Sequence, residues 1–163
     1  MSDENTYELI GRATVAWSDV ELTWYLIYLT LSSASRDDAD AIYFAPKNAE
    51  TERKITHKLG SVVLVNAKTP NTLPIELAKL YKRTNTASAD RNNIAHGKFV
   101  RSNGKNDTST TLWAVGKNGL LGKPLDSELS QMEKKFYLLA DELMDFMYRA
   151  CIVLGREPPS IEK

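Results

Sequence analysis

Arg91, Asn92 and His96 fall within six consecutive positions, in the stretch RNNIAH. Each residue type suits work on a phosphodiester. A guanidinium is permanently charged and donates two parallel hydrogen bonds to a phosphate. An imidazole titrates near neutral pH and moves protons in either direction. Asn92 and His96 are four residues apart and share one face of a helix, provided the helix persists that far. Gly97 then lets the chain turn directly after His96 and frees the ring at a helix end. Arg91 also breaks a pattern. Leu73, Leu77, Leu80, Thr84, Ala87, Arg91 and Ile94 recur at helical steps, and the arginine stands where an apolar side chain is expected. Such an arginine is costly unless paired. Two readings follow: a salt bridge, for example to Glu21 of the first helix, or an anion held in a groove.

Other chemistries lack their residues. There is no His-x-x-x-His, no Asp-x-Asp and no carboxylate pair set against His96, so no metal site is expected. VGKNGLLGK lacks the strand–loop–helix spacing of a P-loop, and no serine or cysteine carries a partnered-histidine signature. Cys151, the single cysteine, lies in an apolar stripe, which excludes a disulfide or thiolate cluster. The second histidine, His57, has no motif around it and is expected to be an ordinary surface residue.

The elements that must position these residues are mostly helices. Ile10, Ala13, Trp17, Val20, Trp24, Ile27 and Leu31 mark a first long helix over about 5–32, capped by Asp3 or Asn5. Trp17 and Trp24 are expected in its core, and the methionines Met132, Met144 and Met147 fill gaps or an interface. A short helix at 37–45 ends at Pro46, and Asn48 opens a third with Ile55, Leu59 and Val62 on its buried face. NAKTPNT is a loop, and Pro74 starts a fourth helix reaching about Ala95. KFVRSNGKN and TSTTLWAVGKNG then read as strands, with Asn103-Gly104 and Asn118-Gly119 as turn dipeptides and a third short strand near Leu120–Leu121. Asp126 or Ser127 caps a last helix, striped by Leu129, Met132, Phe136, Leu139, Leu143, Phe146, Ala150 and Val153 and ended by Gly155 and Pro158-Pro159. The expectation is a mainly all-α fold: an up-and-down bundle of four to five helices with a small β-hairpin inserted at about 98–123, in one domain, 1–163.

A chain of 163 residues with 42% hydrophobic and 26% charged content suits one globular core. The apolar runs YLIYLTL and ACIVL are too short to span a bilayer, and MSDENTYELIGR is no secretory signal, so a cytoplasmic protein without membrane contact is expected. Net charge is zero but uneven: residues 1–50 carry −6, residues 51–123 carry +9, and residues 124–163 carry −3. The basic middle suits a polyanion, or else it packs beside the acidic ends.

RNNIAH resembles the R-x(4–6)-H signature of the HEPN superfamily, with a polar residue directly after the arginine. AWSDVELTWY resembles the Trp-Ser-x-x-Glu first helix of several small bacterial HEPN-like families, and the helical order is similar over roughly the whole chain. The resemblance implies a metal-independent endoribonuclease that needs no cofactor and works as a homodimer, with the motifs of two chains converging on one cleft. In that reading Arg91 holds the scissile phosphate, His96 moves protons at the 2′-hydroxyl or 5′-oxygen, and Asn92 orients His96 or touches the phosphate. Lys98, Arg101, Arg83 and Asn93 are the neighbours expected to hold the rest of the RNA. By analogy the role is that of a toxin or phage-defence effector, with an antitoxin or a small nucleotidyltransferase as partner protein. The alternative is a non-catalytic HEPN-like dimer that binds RNA or protein as a regulatory module.

Overall fold

The computed structural model describes residues 3–67, 72–96, 98–102, 111–115 and 125–160, with side chains for 6–67, 72–95 and 127–160. The described residues are mainly α-helical and form five helices: α1 (Asp3–Leu31), α2 (Arg36–Tyr43), α3 (Ala49–Val63), α4 (Leu73–His96) and α5 (Leu125–Leu154). Strands β1 (Lys98–Ser102) and β2 (Thr111–Val115) lie between α4 and α5. They pair antiparallel, with Lys98 opposite Val115 and Ser102 opposite Thr111. Asn103-Gly104, expected as a turn dipeptide, lies outside the described residues. Asn118-Gly119 and the third strand expected near Leu120–Leu121 lie outside the described residues.

Local chemistry sets the helix limits. Asn48 caps α3 by accepting a hydrogen bond from the Thr51 amide at 2.8 Å. Ser35 caps α2 by accepting from the Asp38 amide, while its hydroxyl donates to the Asp38 carboxylate at 2.7 Å. Helix α5 ends at Gly155, whose φ of 63° suits a residue without Cβ. The Arg156 amide donates to the Cys151 carbonyl at 2.9 Å and that of Gly155 to Ile152 at 3.2 Å, the paired bonds of a Schellman end.

The backbone groups into two units, Met1–Asp19 with Thr86–Leu138, and Val20–Asn85 with Leu139–Lys163. In the first, Trp17 packs edge-on against Phe136 at 5.1 Å, and the nearly buried Glu133 carboxylate accepts from Arg12 at 3.0 Å. Those two pairs ascend together along both chain segments, so α1 and α5 run parallel there.

In the second unit, Arg53 meets Asn85, His57 meets Tyr81, and Gly60 lies beside Leu77, which makes α3 and α4 antiparallel. Arg83–Glu142 and Arg149–Glu76 make α4 and α5 antiparallel as well. Trp24 is fully buried and donates from its indole nitrogen to Thr84 at 3.0 Å; Thr84 in turn donates to the Leu80 carbonyl at 2.9 Å. A side cluster of Tyr25, Tyr28, Ala39 and Tyr43 joins α1 to α2, with Ile55 and Leu59 of α3 packed against it.

Helices α1 and α5 bury the stripes expected of them: Ala13, Trp17, Val20, Trp24, Ile27 and Leu31 in one, and Leu129 through Ala150 in the other. Helix α3 does so in part: Ile55 and Leu59 are partly buried against the tyrosine cluster, but Val62, expected inside, is 59% exposed, and Arg53, Thr56 and Gly60 are buried more deeply than any of the three. The helix is turned toward polar partners. Asn85 receives the arginine, and the bare face of Gly60 admits Leu77 and Leu31 so closely that an added Cβ would collide with Leu77.

Candidate functional site

Helix α4 continues unbroken to His96, so the condition for Asn92 and His96 to share a side is met. The ring of His96, Gly97, and the side chains of Lys98 and Arg101 lie outside the described residues; Lys98 and Arg101 themselves are two and five residues beyond His96, in β1. Ala87 and Ile94 are buried, and Arg91, on the same stripe between them, stays half-exposed. The apolar packing of α4 thus opens at the arginine. Its Nη1 donates to the Asn92 side-chain oxygen at 3.3 Å, which ties the two polar residues together at the surface. Asn93 is half-exposed on the adjoining side.

One turn of α4 is pinned by charge. Asp90, immediately before the motif, accepts from the Lys135 ammonium of α5 at 2.6 Å. Ile94 anchors the other end of the turn by burial. Arg91 and Asn92 therefore project from a helix segment held on both sides, which limits the ordering cost of binding an anion there.

Two expectations about partners change. Glu21, suggested as a salt-bridge partner for Arg91, lies instead in the neighbourhood of Arg53, whose charged form it favours. Arg83, an expected RNA contact, directs both terminal nitrogens to Glu142, the Nη2 bond being 3.0 Å, and this pair holds its pKa above the ordinary value. The structure brings Arg91, Asn92 and Asn93 together on one helix turn.

A polar cluster around Arg53 escaped sequence reasoning. The side chain is 3% exposed, and its Nε donates to Asn85 Oδ1 at 3.2 Å. Burial lowers its pKa, opposed by the charges of Glu21, then Tyr43 and Glu50. Burial, then the Glu21 charge, raises the carboxyl of Glu52. Tyr43 is pushed up as well, chiefly by burial. His57, expected at the surface, is half-buried and stacked on Tyr81, with ring centroids 4.6 Å apart and planes 8° from parallel. Desolvation lowers its pKa. The spacing of Arg53, Thr56 and Gly60 was the available signal, though nothing in three residues so unlike a core announces burial.

Among the described residues no group of three or more His, Cys, Asp or Glu side chains is placed to hold a metal ion. None of the described helices is long and apolar enough to cross a membrane. Comparison with protein-family models, curated proteins and solved structures returns no match.

Proposed function

We propose that the chain is a metal-independent endoribonuclease of the HEPN type, cutting RNA by attack of a 2′-hydroxyl on the adjacent phosphate. The observation that carries this reading is Arg91 itself: it occupies the buried stripe of α4, stays half-exposed and is tethered to Asn92, with His96 four residues after Asn92 on the same helix. In this reading Arg91 binds the scissile phosphate and stabilises charge as the phosphorus becomes pentacoordinate. His96 takes the proton from the 2′-hydroxyl or gives one to the departing 5′-oxygen. Asn92 orients the two, and Asn93, Lys98 and Arg101 steady the flanking strand. Arg83, paired with Glu142 at the surface, is a further contact for the strand in this reading.

One motif histidine per chain suits a composite cleft made by two copies, in which one supplies the base and the other the acid. The reading includes that homodimer, a cytoplasmic setting, no cofactor, and a toxin or defence role with an antitoxin or nucleotidyltransferase partner.

The test is incubation of the purified chain with diverse single-stranded RNAs in EDTA. Cleavage by the native protein and its loss in Arg91→Ala and His96→Ala are expected. Intact RNA throughout, or equal cutting by the variants, would remove the enzyme and leave the alternative of a helical dimer that binds without catalysis.

A further inference from the structure

Four exposed lysines gather on the outer side of α3 and the first half of α4, away from the motif residues in the chain. Lys54 and Lys58 are one turn apart on α3, and Lys79 and Lys82 are three residues apart on α4. The pairs Arg53–Asn85, His57–Tyr81 and Gly60–Leu77 lay the two helices side by side and antiparallel. By that register Lys54 stands level with Thr84 and Lys58 with Leu80. The four lysines therefore leave the backbone within about five residues of axis, or roughly 7.5 Å at the helical rise.

The buried sides of both helices are accounted for by Arg53, Thr56 and Gly60 and by Leu77, Leu80 and Thr84, so the lysines occupy the solvent side. Of the neighbouring carboxylates, Glu142 pairs with Arg83, and Glu76 pairs with Arg149 while also feeling the charge of Lys79. Glu50, one turn before Lys54, is the exposed acid on the same helix, and it leaves the patch clearly positive. The half-buried ring pair of His57 and Tyr81 lies at the same level as the lysines.

We propose that this α3–α4 surface is a second binding site, for the backbone of a single-stranded RNA, whose phosphates meet the lysines and whose bases stack near the His57–Tyr81 pair. Cations interleaved with aromatic rings suit a nucleic acid strand, because every base has a face to stack. An acidic peptide would use the lysines and leave the rings idle. The choice of RNA rests on the function proposed above; the surface itself rests on charge and geometry.

The experiment uses the full chain carrying His96→Ala and a fluorescently labelled oligoribonucleotide of mixed sequence, followed by anisotropy across a salt series. Lys54→Gln/Lys58→Gln/Lys82→Gln is expected to weaken binding at least about 10-fold at low salt. Its salt slope should fall by about 2, since each phosphate that a lysine no longer neutralises on a single strand removes about 0.7. Its melting temperature should be unchanged, and Lys134→Gln, on the exposed side of α5, should bind normally. An unaltered affinity and slope in the triple variant would overturn the site, as would an equal loss in Lys134→Gln. Competition by polyglutamate as strong as by unlabelled RNA would assign the patch to an acidic protein instead. The two proposals fail separately: lysine-dependent binding without cleavage by the native chain removes only the nuclease, and cleavage with lysine-independent binding removes only this surface.

Discussion

Arg91 is the one charged side chain on the apolar stripe of α4, and the proposed nuclease gives it a task. A stripe that buries Leu77, Leu80, Thr84, Ala87 and Ile94 leaves Arg91 half-open, and its guanidinium reaches the surface, where it donates to Asn92. If that task is a two-pronged grip on phosphate, a point charge cannot replace it. Arg91→Lys should therefore lose at least about 10-fold in the cleavage rate, and Arg91→Ala about 100-fold or more, the scale of removing one preorganised donor. Single-turnover kinetics on a defined RNA measures both. Glu52 gives a prediction of another kind. Its carboxyl is held above the usual range by burial and then by the charge of Glu21. Folding thus favours its protonated form; that contribution is full below the ordinary carboxyl pKa and is lost as pH rises through the folded value. Gln imitates the protonated state, so Glu52→Gln should resist urea better than the native chain at pH 7 and equally at pH 3. A lower midpoint at pH 7 would mean that Glu52 is a needed partner of Arg53.

At the scale of elements, α4 and α5 are joined by ion pairs repeating every seven residues. Glu76 pairs with Arg149 and Arg83 with Glu142 in one unit, and Asp90 pairs with Lys135 in the other. The Arg83 and Glu142 side chains are 54% and 47% exposed, so their pair sets register more than stability. A double-mutant cycle on Arg83→Ala and Glu142→Ala should give a coupling of about 0.5 kcal/mol by urea unfolding. Gly60 matters more, because a methyl there meets Leu77 and comes within 3.1 Å of Leu31 in a filled core. Gly60→Ala should cost about 1–3 kcal/mol despite the better helix propensity of alanine.

Helices differ in how far their own residues reveal them. The stripes of α1 and α5 were readable because apolar side chains at steps of three and four need no knowledge of a partner. The buried side of α3 was not, since Arg53 and Thr56 become core residues only where Asn85, Glu21 and Leu77 arrive from distant positions. The candidate site divides in the same way. Arg91 announced itself by breaking a pattern, whereas the ion pair that occupies Arg83 depends on a residue in another helix.

For the molecule as a whole, a mainly helical chain of zero net charge concentrates its positive residues in the segment that carries both α3 and the RNNIAH turn. If two copies build the cleft, light scattering should return twice the chain mass. An excess of inactive His96→Ala chain should suppress the native chain on mixing, because each mixed cleft then has a base or an acid and never both. A strict monomer would remove the shared cleft while leaving the chemistry of the motif to be judged by itself. That chemistry is read most directly from the ends of the cut RNA, mapped after incubation of the native protein in EDTA. Attack by the 2′-hydroxyl predicts 2′,3′-cyclic phosphate or 3′-phosphate ends opposite 5′-hydroxyls, absent with Arg91→Ala and with His96→Ala; 5′-phosphate ends, or the same ends from either variant, would contradict it.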